Sequence, residues 1–128
     1  MKSYICLIDT SYIVYYSSFA AWRAYSYRAN IPKELMGSDY DPTMDEAFNR
    51  FFEKKFKSVL TEAPMKVYPF IDKSKYIFCM DCPRKDIWRT DIYPEYKINR
   101  KAQVANFEFN VSKVFEYAYN YLLPKVCD

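Results

Sequence analysis

An α/β domain with a parallel sheet flanked by helices is the fold the sequence predicts, on three observations. Two short apolar runs, "YICLID" ending at Asp9 and "KYIFCMD" ending at Asp81, have the length and composition of strands. Two stretches of helical length lie between them, and a third follows the second run. The resulting order of strand, helix, helix, strand, basic segment and helix is that of crossover-connected parallel strands. One domain spanning 1–128 accounts for it.

The elements follow in order. After Asp9, Thr10 and Ser11 read as N-caps of a Tyr- and Ala-rich helix running to about Tyr27. Residues 28–41 hold the only glycine, Gly37, together with Pro32, and read as a loop. In "DPTMDEAFNRFFEKKFKSVL", Asp41 is a cap, Pro42 takes the first helical position, and Asp45 and Glu46 fall in the first turn. Met44, Ala47, Phe48, Phe51, Phe52, Phe56, Val59 and Leu60 repeat at i, i+3, i+4, the stripe of one helix face. A connection around Pro64 and Pro69 leads to the second strand. From about Ala102, the positions Val104, Phe107, Val111, Val114, Phe115, Ala118, Tyr121 and Leu122 predict a last amphipathic helix, closed by Pro124.

Composition narrows the chemistry. At 51% hydrophobic and 20% aromatic the chain is too apolar to stay disordered. Its apolar runs are short and broken by charges, so neither a membrane span nor a signal peptide is expected, and the expected location is intracellular. Zero histidines exclude Ser-His and Cys-His catalysis within the chain. Cys79 and Cys82 form a lone CxxC without a second pair; with Cys6 and Cys127 they read as thiols of a reducing compartment rather than a zinc site.

Charge is unevenly placed. Residues 82–101 carry Arg84, Lys85, Arg89, Lys97, Arg100 and Lys101 against Asp86, Asp91 and Glu95, while the rest of the chain balances 13 cations with 13 acids. The whole positive excess sits in one segment, the footprint of a nucleic-acid surface. In open parallel sheets ligands bind beyond the carboxyl ends of the strands, where Asp9 and Asp81 both fall. Two such carboxylates suit a hard cation, Mg²⁺ or Mn²⁺; the plainer alternative is that each caps a helix or starts a loop. A metal site followed by a basic segment is what positioning a phosphodiester requires.

The segment "FCMDCPRKDIWRTDIYPEYKINRK" resembles the 5′ nuclease family, which includes flap endonucleases, the 5′ nuclease domain of bacterial DNA polymerase I and phage ribonuclease H. There a strand-ending Asp is followed by an aromatic-Arg pair, then Tyr-Lys, then Arg; the matching positions are Asp81, Trp88-Arg89, Tyr96-Lys97 and Arg100. The start "YICLIDTSYIVYYSSFAA" is similar to the family's first strand, metal-binding Asp and a Tyr six residues later, here Asp9 and Tyr15. Thr10 and Tyr16 depart from the Gly and Arg usual after that Asp and that Tyr. The resemblance implies a PIN-like fold with an arch-like basic segment at about 82–101. It further implies metal binding by Asp9 and Asp81, and phosphate contact by Lys97 and Arg100 in catalysis. Base stacking by Tyr96 and further nucleic-acid contacts from Arg84, Lys85, Arg89 and Lys101 also follow from it. Tyr93 reads as packing.

The implied activity is metal-dependent 5′-3′ exonuclease or flap endonuclease cleavage of DNA, flapped or nicked, or of RNA–DNA hybrids. The family's second acidic cluster, Glu-Ala-Asp-Asp and later Asp-x-Asp, has no counterpart here. The expectation is therefore an N-terminal portion of the catalytic domain, truncated after the second strand and its following helix and weak or inactive by itself: either a split or truncated gene product, or a half that docks with a second polypeptide carrying the remaining acids. A two-stranded sheet would leave apolar surface open. The alternative is a non-catalytic nucleic-acid-binding or interaction module derived from this family.

Overall fold

A computed structural model describes residues 5–68, 75–81, 88–95, 103 and 106–127. Strand β1 (Cys6–Asp9) leads directly into helix α1 (Thr10–Ala29). Single 3-10 turns at Lys33–Leu35 and Pro42–Met44 precede α2 (Glu46–Val67). Strand β2 (Tyr76–Cys79), the short α3 (Trp88–Ile92) and α4 (Val111–Tyr117) follow, α4 running through a π-helical turn (Ala118–Leu122) into α5 (Leu123–Cys127). The two strands pair in parallel with Cys6 opposite Tyr76 and Asp9 opposite Cys79. The chain is thus a mixed helix and strand protein, predominantly helical, with a two-stranded parallel sheet among the described residues.

Helix α2 forms where the apolar stripe predicts it. Phe48, Phe52, Phe56 and Leu60 recur every four residues and are all buried, against the inner face of α1 made by Val14, Ala21, Trp22 and Tyr25. The Phe48, Phe52 and Phe56 rings follow one another at centroid separations of 5.8 and 6.3 Å. Phe109, Val111, Val114, Ala118 and Leu122 complete the core. No described helix is long and apolar enough to cross a membrane.

Boundaries differ from the sequence expectation, for local reasons. Asp9, rather than Thr10 or Ser11, caps α1, its Oδ1 accepting from the Tyr12 N–H at 3.1 Å. Asp41 does cap a helical turn beginning at Pro42, but that turn is 3-10 and stops; Asp45 opens α2 afresh by accepting from the Ala47 N–H. Met44 therefore leaves the apolar stripe and is exposed. Pro64 lies inside the last turns of α2 instead of in a connection. The final helix starts at Val111, not near Ala102, because Asn110 caps it through the Lys113 N–H. Phe107 and Phe109 reach the core from an irregular segment, as edge partners of Phe19. Pro124 does not close the helix. The Leu123 N–H reaches back five residues to the Ala118 carbonyl, and this wider turn accommodates a residue with no N–H to donate. Tyr121, placed on the core face by periodicity, is turned outward and exposed.

The sheet divides its side chains by face. Ile8 is buried and Cys6, Tyr76 and Phe78 half-buried toward the helices, whereas Leu7 and its register partner Ile77 are 68% and 49% exposed on the other side. Ile5 extends that open apolar face.

Candidate metal and nucleic-acid site

Parallel pairing of neighbouring strands brings both sequence-predicted carboxylates to one edge. Asp9 ends β1, and Asp81 follows two residues beyond the end of β2. Both line a cleft of about 740 Å³ together with Ser11, Tyr12, Tyr15 and Phe115. The Ser11 hydroxyl donates to Asp81 Oδ2 at 2.5 Å and lies 3.3 Å from the Tyr119 hydroxyl. Tyr119 belongs to the π turn, so the register shift made around Pro124 also places a phenol behind Ser11. Tyr15 is half-buried with its ring edge-on to Phe115 at 4.8 Å, which fixes one wall.

The donors here are hard oxygens. Asp9 commits Oδ1 to the helix cap and Asp81 commits Oδ2 to Ser11, while both residues line the cleft. Among the described residues no group of three or more His, Cys, Asp or Glu side chains gathers as a closed metal cage. Two carboxylates fit Mg²⁺ or Mn²⁺ in the way those ions are ordinarily held in phosphoryl chemistry, by one or two carboxylates with waters and substrate oxygens completing the shell. The capping reading of Asp9 is also real: one carboxylate oxygen serves the helix and leaves the second available.

The basic segment is described only at 88–95. Arg89 sets its guanidinium 4.8 Å from the exposed Trp88 ring, in the short helix α3. Tyr93, expected to pack, is exposed, with its hydroxyl donating to Glu95 at 3.4 Å. Arg84, Lys85, Tyr96, Lys97, Arg100 and Lys101 lie outside the described residues. Cys6, Cys79 and Cys127 are free thiols.

Two contributors escape sequence reasoning. Ser11 meets Asp81 across 70 positions, which no local pattern signals. Tyr12 lines the cleft, although at the sequence level it is one tyrosine among 14. Comparison with protein-family models, with curated proteins and with solved structures finds no match for this chain.

Proposed function

We propose that this chain is the part of a metal-dependent 5′ nuclease, of PIN-like fold, that carries Asp9 and Asp81 and acts on phosphodiesters of DNA or of RNA–DNA hybrids. The observation that carries the reading is the convergence of these two carboxylates in one cleft at the carboxyl edge of a parallel sheet. The segmental charge excess of residues 82–101 supports it, since a phosphate polymer needs cations beside the metal site.

In this reading Asp9 and Asp81 hold Mg²⁺ or Mn²⁺, which when bound supplies activation of water and stabilisation of the leaving oxygen. Ser11 holds the Asp81 carboxylate in place, Asp9 couples the site to the first turn of α1, and Tyr15 with Phe115 bounds the cleft. Lys97 and Arg100 take the phosphate at and beside the scissile bond, and Arg84, Lys85, Arg89 and Lys101 the flanking ones. Tyr96 stacks on a terminal base. The further acids come from outside residues 1–128, and the open apolar sheet face of Ile5, Leu7 and Ile77 supports docking of the segment or second polypeptide that carries them.

Cleavage of a 5′-labelled flap substrate with Mg²⁺, by the chain alone and with a candidate complementing chain, tests the reading. EDTA-sensitive cleavage that disappears in Asp81→Asn is the expected result with the complement. A second reading, a non-catalytic nucleic-acid-binding module, is favoured by the partial commitment of both carboxylates to protein partners. It predicts binding without cleavage in every such assembly.

A further inference from the structure

The outward face of α1 is unlike that of an ordinary solvated helix. Tyr12, Tyr16 and Arg23 share one side of the helix, away from the buried Val14, Ala21 and Tyr25. Tyr12 is 61% and Tyr16 49% exposed, and their rings stack with centroids 6.3 Å apart and 23° between planes. Lys55 of α2 places Nζ 5.6 Å from the Tyr16 centroid. This face is continuous with the carboxylate cleft, because Tyr12 lines both the cleft and a trough of about 390 Å³ that passes Tyr16 and ends at Arg23. A neighbouring trough of about 220 Å³ leads from the same two tyrosines past Lys55 and Lys66, with Glu62 as the acid on its wall.

We propose that Tyr12 and Tyr16 form a stacking platform for successive bases of a single-stranded nucleic acid, with Arg23 and Lys55 beside its phosphates, leading the strand to Asp9 and Asp81. The proposal rests on reading that cleft as a phosphodiester site. Aromatic faces accept any base, and each stacked base strengthens binding without a sequence requirement. The flanking cations match the charge of a phosphate backbone and disfavour an apolar protein partner on the same surface. From Tyr12 to Arg23 the helix rises ~16 Å, so the two rings and the cation can engage one strand in sequence.

The test is binding of the full chain to an oligothymidylate of about twelve nucleotides, and to a strand of equal length lacking bases, each over a range of salt. Replacing both tyrosines by alanine should weaken oligothymidylate binding about tenfold or more while leaving its salt slope unchanged. The parent should bind the baseless strand as weakly as that variant does, and Tyr12→Phe with Tyr16→Phe should bind like the parent. Lys55→Ala should instead flatten the salt slope by about 0.7. Equal binding of both strands by the parent, or parent-like affinity in the alanine variant, overturns the platform, including where the loss in the alanine variant is traced by circular dichroism to unfolding and the phenylalanine variant binds no better. The underlying reading is separately exposed: platform-dependent binding without Mg²⁺-dependent cleavage in any assembly removes the nuclease and leaves the platform standing.

Discussion

The hydroxyl of Ser11 donates to Oδ2 of Asp81 across 70 residues of sequence, joining the first turn of α1 to the chain just beyond β2. The contact exists because β1 and β2 are parallel neighbours, so that both carboxyl ends open on the same edge. It also holds one of the two proposed metal ligands against the helix that the other caps.

Structural and chemical roles of Asp9 separate by substitution. Asparagine also caps helices well, so Asp9→Asn should melt close to the parent, whereas Asp9→Ala should lose about 0.5–2 kcal/mol. Both should lose Mg²⁺-dependent behaviour. Thermal denaturation alongside Mg²⁺ titration reads the two effects; an asparagine variant with intact Mg²⁺ response assigns Asp9 to capping alone.

The Phe48, Phe52 and Phe56 ladder carries the packing of α2 on α1. Phe52 is fully buried, and Phe52→Ala should cost about 3–5 kcal/mol. That is a large share of the ~5–15 kcal/mol typical of a whole domain. Urea denaturation should show a loss of the cooperative transition or a large drop in its midpoint, and a change below about 1 kcal/mol would contradict this core assignment.

Alkaline pH should destabilise the fold through Tyr25. Burial, followed by hydrogen bonding with Tyr40 and Asp45, raises its phenol well above the ordinary value near 10. The folded chain therefore holds this proton more tightly than the unfolded chain. Its contribution is full below about pH 10 and is lost as pH rises further. Burial also raises Tyr76 and Tyr117. Melting temperatures from about pH 8 to about pH 11 should fall at the alkaline end, and Tyr25→Phe should make that fall shallower; an unchanged pH profile in the variant would remove Tyr25 as its source.

Lys97 and Arg100 are predicted to meet phosphate. Alanine at both should flatten the dependence of log K on log salt for duplex-containing DNA by roughly one unit per lost contact. An unchanged slope refutes the assignment.

The sequence is most legible where a short-range rule decides the outcome. Phe48, Phe52, Phe56 and Leu60 announce α2 because one helix face must be buried, and Asp9 and Asp81 announce the carboxylate edge because parallel strands end together. Competing local rules blurred the boundaries. Asp41–Pro42 is a valid helix start that yields only a 3-10 turn, since Asp45 offers a second cap four residues after Asp41. Pro124 is a valid stop that a π turn accommodates. The cap at Asn110 is not singled out by the sequence pattern, because the apolar spacing from Phe107 carries the helical periodicity past it. The exposure of Tyr12 and Tyr16 could not be read, because α1 is apolar on nearly every side and its buried face is chosen by α2 and α4.

The most direct test of the central claim is the affinity of the chain for a 5′-flap DNA with Mg²⁺ and with EDTA, in the parent and in Asp81→Asn. Without metal, two carboxylates beside a phosphate repel it, and a shared cation converts repulsion into attachment. Mg²⁺ should tighten binding by the parent, and Asp81→Asn should bind as well as or slightly better than the parent in EDTA but gain nothing from Mg²⁺. An equal Mg²⁺ response in parent and variant, with both folded, would contradict it.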